Sequence, residues 1–215
     1  RSIQVDAKGE VAELKDNINT MIDNLRLTTE QNTEQDWLKT NLAKFTNMLQ
    51  GQRDLATVGR MLLSELTPLV GAQVGVIYQL EEDDREERLH LLASYADDGA
   101  NGHLPCLRIG EGLAGQCAAD KRTLLVKDLP PHTTLIGSAL VKVAPQNIIV
   151  LPVMFESQLK AVIELASVRS FTNLQIMFLE QLTNSIGIVL NSIAATMQTK
   201  ELNRELENRV ADRTA

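Results

Sequence analysis

This 215-residue sequence has little cysteine, few aromatic side chains and no excess of positive charge. Its two cysteines, Cys106 and Cys117, form no C-x-x-C pair, which argues against a zinc knuckle and a disulfide framework and favours a reducing compartment. Lysine and arginine total 21 against 28 acidic residues, so the formal charge is -7, and only 3% of the residues are aromatic. Nucleic acid and anionic membrane surfaces are therefore not expected partners.

Long hydrophobic runs are also missing. No stretch approaches the roughly 18 consecutive apolar residues of a membrane span, and no secretory signal peptide opens the chain, so we expect no span in it and a cytoplasmic location. Hydrophobic residues nevertheless make up 44% of the chain, which is enough for a sizeable core.

The N-terminal third lacks proline before Pro68 and is rich in helix-forming residues, which predicts helix. Its apolar residues follow the alternating spacing of three and four that is typical of a seam between two helices. This N-terminal seam consists of Val11, Leu14, Ile18, Met21, Leu25, Leu42 and Leu49. Between Leu25 and Leu42 the same positions are polar, so we expect a helix pair to shift there at low cost.

The C-terminal segment is predicted to be helical from Thr172 to the end, and Leu202 and Leu206 continue a seam beyond the domain. Two leucines in a charged tail are too few for a stable isolated helix, so a partner helix is expected. Seams at both ends predict a parallel homodimer. The alternative is a monomer whose first helix folds back on its own domain.

The middle of the chain has the period of two that is typical of strands. One predicted hairpin joins 74–80 to 89–95 around a solvated tip of eight charged residues, and another joins 147–155 to 159–167. Short strands at 107–109 and 123–126 flank a short helix. Residues 97–105 and 128–146 are predicted loops, the second a lid with one helical turn near 135–141. Pro152 predicts a sheet edge or a bulge.

Three glycines, Gly110, Gly112 and Gly115, follow the predicted strand at 107–109. Glycine amides at a helix start can hold a phosphate, which is one interpretation. A dinucleotide site, however, needs a parallel βαβ unit, whereas these strands belong to an antiparallel sheet. A tight-turn scaffold is the favoured interpretation.

The order helix, hairpin, loop, short strand, helix, hairpin, helix resembles the GAF domain, a sensory α+β fold. Residues 109–115 (IGEGLAG), 150–153 (VLPV) and 162–167 (VIELAS) with Phe171-Thr172 carry the resemblance, and the last two stretches are similar to GAF domains of bacterial sensor histidine kinases. The resemblance implies a central antiparallel sheet of five or six strands flanked by helices, with long coiled-coil helices at both ends. It departs at 156–158 and Ala161, where glycine is common.

Both flanks extend this resemblance. Residues 9–21 resemble the second helix of a HAMP linker, and 206–214 (LENRVADRT) is similar to the connector helix that leads into a kinase core. This implies a HAMP-like helix at 1–28, a helical linker at 29–54, a GAF domain at 55–192 and a connector at 193–215. The expected parent is a sensor histidine kinase, anchored or not in the inner membrane, with its kinase core downstream in the same chain. No kinase motif occurs here, so a non-catalytic relay is predicted.

Two other functions remain open, a thiol enzyme of the free methionine sulfoxide reductase kind and a stand-alone small-molecule receptor. The enzyme would use Cys106 and Cys117, but Cys117 lies in an apolar helix and is expected to be a buried small hydrophobe. Neither cysteine is followed by the histidine that is common in bilin-binding GAF domains.

No metal or cofactor is predicted. His90, His103 and His132 lack metal-site spacing, although haem ligation by one of them is an alternative. A small ligand, if one binds, is expected between the sheet and the lid with Arg108 and His132 as polar contacts. The alternative is a pocket filled by Leu135, Ile136 and Leu140.

Overall fold

The computed structural model describes residues 9–83, 86–96, 104–127, 129, 136–137 and 142–214. Within them lie the helices α1 (Glu10–Leu49), α2 (Leu55–Leu69), α3 (Gly112–Asp120) and α4 (Asn173–Thr214). The strands are β1 (Val74–Asp83), β2 (Glu86–Tyr95), β3 (Cys106–Arg108), β4 (Leu124–Lys127), β5 (Ile136–Gly137), β6 (Lys142–Val143), β7 (Asn147–Phe155) and β8 (Gln158–Ser167).

Six strands form one antiparallel sheet in the order β3-β2-β1-β8-β7-β4. The two predicted hairpins supply β1 with β2 and β7 with β8, and the pairing of β1 with β8 joins them in the centre. This confirms the predicted antiparallel sheet with long terminal helices. Because every strand pair described is antiparallel, the sheet does not contain the parallel βαβ unit that a dinucleotide site needs.

Two local predictions need correction. The charged hairpin tip is shorter than expected, because β1 and β2 continue into the charged run and pair Glu81 with Arg88. In place of a helical turn near 135–141, β5 and β6 form a small two-stranded sheet, and residues 138–141 lie outside the described part. The prediction for Pro152 is confirmed: β4 pairs with β7 only as far as Val150, and a bulge follows at Val153/Met154.

The sheet has one face covered by α2 and α4. Apolar side chains of the central strands are buried here, among them Ile77, Ile163 and Leu165. Helix α2 buries Val58, Leu62, Leu63 and Leu66, and α4 buries Phe178, Leu179, Leu182, Ile186, Leu190 and Ile193. By length and mean hydropathy alone α4 could cross a membrane between Asn173 and Glu207, and 44% of its apolar window is buried within the structure.

The start of α4 is held by reciprocal hydrogen bonds. The Gln175 backbone N–H donates to Thr172 Oγ1 at 3.2 Å, and the Thr172 backbone N–H donates to Gln175 Oε1 at 2.8 Å, which together make a capping box. Gln175 Nε2 also donates to the carbonyl oxygen of Val70, where α2 ends. The start of α4 is therefore hydrogen-bonded to the end of α2, the helix that precedes β1.

The chain divides into two compact units between Lys44 and Phe45. Most of α1 belongs to the first unit, while Phe45 and Leu49 are buried in the core of the second. Leu49 is only 1% exposed, so it is not available to a second chain as the seam prediction requires. The helical spacing was correct there, but the domain itself covers the side chain.

Candidate functional site

The sheet face opposite α2 and α4 is covered by α3. Alternation along the strands places Val76, Tyr78 and Val162 on this face, where they pack with Ala114, Cys117 and Ala118 of α3 and other apolar residues. We call this side of the sheet the α3 face.

One acidic side chain interrupts the α3 face. Glu164 of β8 lies opposite Val76 on β1 and opposite Val150 on β7, and it is half-buried. Sequence reasoning missed it, although the alternation of Val162, Glu164 and Ala166 was a signal.

The Cys117 thiol lies near this carboxylate and is fully buried. Burial raises its pKa to about 12, with smaller contributions from the charges of Asp120 and Glu164. The sulfur also approaches the carbonyl oxygen of Arg122 at 3.3 Å, as a weak donor. Cys117 is therefore a neutral thiol near pH 7, which makes it a poor nucleophile.

The three-glycine segment forms the turn from β3 into α3. The Gly110 N–H donates to the Gly115 carbonyl at 2.8 Å and the Glu111 N–H to the Arg108 carbonyl at 3.0 Å, so these amides are used inside the turn. Gly110 and Gly112 have positive φ angles of 87° and 64°. The Glu111 carboxylate accepts from the Arg108 N–H at 2.9 Å. These bonds favour the scaffold interpretation over a phosphate cradle.

Gly115 gives a direct test of this turn. An added Cβ would lie 2.5 Å from the Arg108 carbonyl oxygen and 3.1 Å from the Gly110 nitrogen. We expect Gly115→Ala to destabilise the protein by about 1–3 kcal/mol, because turn and helix would have to separate. Thermal unfolding measures this, with Gln116→Ala on the exposed side of α3 as the control. Equal midpoints for the two variants would contradict the scaffold role.

Of the two predicted ligand contacts, Arg108 and His132, only Arg108 lies within the described residues. Arg108 is exposed, and strand alternation places it on the side opposite Leu107, which packs on the α3 face. Its role as a ligand contact stays a prediction, because most of the two loops predicted to cover the pocket lie outside the described residues. His132 lies outside the described residues, as do His103, Leu135, Leu140 and most of both predicted loops. Ile136 is half-buried on β5.

A groove of about 540 Å³ opens at the end of the sheet where both hairpins turn. Its lining includes the acidic residues Glu81, Glu82 and Glu87 and the basic residues Lys121 and Lys160. Lys121 Nζ donates to the Ser157 carbonyl oxygen at 3.4 Å, which links α3 to the β7–β8 turn. Both signs of charge line this groove. Within the described residues, no three His, Cys, Asp or Glu side chains form a metal site.

The predicted seam residues are mostly exposed. Val11, Leu14, Met21 and Leu25 of α1 are 58–62% exposed, and Leu202 and Leu206 of α4 are 57% and 50% exposed. Ile18 and Leu42 are half-buried. An isolated chain therefore leaves two apolar stripes open to solvent, one on each terminal helix.

Solved structures similar to this chain share its fold at low sequence identity. The GAF domain of a phosphoenolpyruvate-protein phosphotransferase (ptsP) from Coxiella burnetii matches with a TM-score of 0.61 and 15% identity over 75% of this chain and 96% of that one. Free methionine-R-sulfoxide reductase from Neisseria meningitidis matches with a TM-score of 0.57 and 18% identity over 72% and 89%.

A methyl-accepting chemotaxis protein segment matches with a TM-score of 0.55 and 15% identity over 71% of this chain and 98% of that one. No curated protein sequence matches the chain. The GAF domain family model matches residues 52–191, from just before α2 into α4. With its antiparallel sheet between terminal helices, the chain belongs to the GAF domain family, a fold of sensory and regulatory domains that also serves enzymes.

Proposed function

We propose that this chain is a non-catalytic sensory and signal-relay module, in which a GAF domain stands between helices that pair in a parallel homodimer. The observation that supports it best is the exposed apolar stripe on each terminal helix. Burying one leucine or isoleucine is worth roughly 1.5–3 kcal/mol, so these stripes favour pairing with a second copy. Parallel pairing aligns the same seam at both ends, as a signal passing along the helices requires.

Helix α4 carries two stripes along its length, one buried in the domain and one exposed. Leu182, Ile186 and Ile193 are buried in the domain core, whereas Ile188 is 59% exposed and Leu202 is 57% exposed. The exposed set keeps the alternating spacing of four and three, and its members are Ile188, Ser192, Ala195, Thr199, Leu202 and Leu206. One helix thus packs its own domain with one stripe and leaves the other for a partner helix.

The polar part of α1 is suited to conformational change. Here the hydroxyl groups of Thr28, Thr29 and Thr33 donate to backbone carbonyls four residues earlier, at 2.8–2.9 Å. Such bonds compete with the helix ladder and often bend helices. The N-terminal seam is polar in the same stretch, so a paired helix can shift there at low energetic cost.

The domain also connects the two long helices. At the end of α1, Phe45 meets Phe178 of α4 edge to face, with ring centroids 5.8 Å apart. Both rings are 0% exposed. A movement of α1 at Phe45 therefore reaches α4 through a tightly packed contact, without first passing through the sheet.

The finer assignment follows the flanking sequences. We propose that residues 1–28 are the second helix of a HAMP-like linker and that α4 continues as a connector into a histidine kinase core in the same parent chain. The parent would then be a sensor kinase of a two-component system, with this part of the chain in the cytoplasm. Expressing the chain fused to a histidine kinase core, and measuring autophosphorylation with and without a one-residue insertion after Lys200, tests this assignment.

The dimer is tested by sedimentation equilibrium. At a protein concentration of tens of micromolar we expect the wild type to be dimeric. The expected Kd is below about 10 μM, which corresponds to a free energy of association of roughly -7 kcal/mol. Leu14→Asp with Leu206→Asp should weaken the dimer at least about a hundredfold, because each change removes buried apolar surface in both chains. The control, Thr20→Asp with Asn203→Asp, adds the same charges outside the seam. A monomeric wild type would overturn the relay proposal.

A second candidate function is reduction of free methionine sulfoxide, since reductases of that kind share the fold. The thiols of this chain argue against it. Cys117 is buried and neutral, and Cys106 lies on the opposite face of the sheet, because its strand neighbour Leu107 packs on the α3 face. We therefore expect no turnover of free methionine sulfoxide with a thiol reductant. Turnover that disappears in Cys117→Ser would establish the enzyme instead.

A further inference from the structure

The edge of the sheet formed by β2 and β3 carries a group of side chains that the relay does not use. Cys106 on β3 pairs with His90 on β2, and His90 Nε2 lies 3.9 Å from Cys106 Sγ, within hydrogen-bond distance for sulfur. Both residues are half-buried. The thiol thus has a proton acceptor beside it and a route to solvent.

Arg88 joins the same group, two residues before His90 on β2. Its pKa is raised, first by the hydrogen bond to Glu86 and then by interaction with Cys106. The guanidinium Nη2 lies 3.2 Å from Glu86, whereas its Nε is buried and has no hydrogen-bond partner in the described part of the protein. Because the Arg88 side chain interacts with Cys106 and its Nε–H has no acceptor, the guanidinium can donate to an oxygen atom added to that sulfur.

The other cysteine offers an internal contrast. Cys117 has no exposure and lies on the α3 face, among apolar side chains. It has no imidazole or guanidinium among its hydrogen-bond partners in the described residues; its partner is the Arg122 carbonyl. The same chain therefore contains one thiol in a polar, basic environment and one in an apolar core.

We propose that Cys106 is a modification site, a thiol that hydroperoxides oxidise to sulfenic acid and that a small thiol then caps as a mixed disulfide. In the first step the sulfur attacks the peroxide, an S–O bond forms and the O–O bond breaks. The thiol proton passes to His90 and leaves on the departing oxygen as water or an alcohol, so sulfur is oxidised and the peroxide reduced by two electrons. In the second step an S–S bond forms and water leaves.

Dimedone trapping tests this on the whole chain. The purified protein is treated with hydrogen peroxide near neutral pH, and adducts are assigned by peptide mass spectrometry. Wild type and Cys117→Ser should carry one adduct, at Cys106, and Cys106→Ser should carry none. His90→Gln should slow the reaction by about tenfold or more, as loss of a proton acceptor does. Gln79→Ala is the matched control, because Gln79 pairs with His90 from β1.

The rate is compared with that of N-acetylcysteine under the same conditions, and circular dichroism confirms that each variant is folded. Oxidation at Cys106 faster than the free thiol and dependent on His90 supports the proposal. A rate no faster than the free thiol, equal labelling of Cys117, or a His90→Gln rate within twofold of wild type would overturn it. None of these outcomes depends on the dimer, because the reaction is read in each chain separately.

Discussion

Replacing Gly187 with alanine is expected to destabilise the domain more than any other single added methyl group among its described glycines. Gly187 lies where α4 crosses β7, and an added Cβ would overlap the carbonyl oxygen of Met154 and lie 2.7 Å from its carbon. Both atoms belong to the backbone, so neither can rotate away. Helix and sheet would have to separate.

Overpacking of a core usually costs about 1–3 kcal/mol, and a backbone clash belongs at the upper end or beyond. The gain in helix propensity from Gly to Ala, about 1 kcal/mol, offsets only part of this. For a domain of this size, a net loss of about 2–3 kcal/mol lowers the melting temperature by roughly 5–10 °C. Calorimetry measures it, and Gly187→Val should be worse still.

Asn184→Ala is the matched control, since Asn184 is exposed on α4 one turn before Gly187. It should leave the melting temperature within a degree or two of wild type, as exposed substitutions usually do. If Gly187→Ala were as stable as this control, the close approach of α4 to β7 would be wrong.

Removing the aromatic ring of Phe178 should produce the second large effect. Phe178 is fully buried on α4 and contacts Phe45 at the end of α1. A Phe→Ala change in a core costs about 3–5 kcal/mol, from lost burial and the cavity left behind. Urea unfolding of Phe178→Ala should show a lower midpoint with little change in slope.

A double-mutant cycle isolates the contact between the two helices. We expect Phe45→Ala and Phe178→Ala to couple by about 0.5–1.5 kcal/mol, the range for aromatic pairs in contact. Phe45→Ala with Leu62→Ala on α2, another fully buried residue, supplies the comparison cycle. Strict additivity of the two phenylalanine changes would argue that α1 and α4 are not coupled through these rings, and would weaken the relay mechanism.

Local patterns predicted most of the elements correctly. Alternation identified both long hairpins, and the spacing of three and four identified α1 and α4, because these periods follow from backbone geometry and need no knowledge of distant residues. The capping box of Thr172 and Gln175 is likewise a local device that fixes where α4 begins. The turn at Gly110 to Gly115 is a third example.

The sequence did not assign the candidate site to a face of the sheet, because the face that each side chain occupies depends on strand pairing. The structure places Arg108, a predicted ligand contact, on the other side of the sheet from Leu107. The closeness of Cys106 to His90 depends on the register in which β3 pairs with β2, across a loop that carries no periodic pattern. A shift of one residue in that register would exchange the two faces.

The sequence by itself thus determined the order of the long helices and strands and the apolar stripes on the two terminal helices, since each arises from a repeat within one segment. Only the tertiary structure decided which apolar residues the domain covers. Leu49 and Leu42 belong to the same predicted seam, yet Leu49 is buried in the domain core and Leu42 is only half-buried. The need for glycine at Gly187 could not be predicted from the sequence for the same reason. It depends on the close approach of α4 to β7, which leaves no pattern in the residues around Gly187.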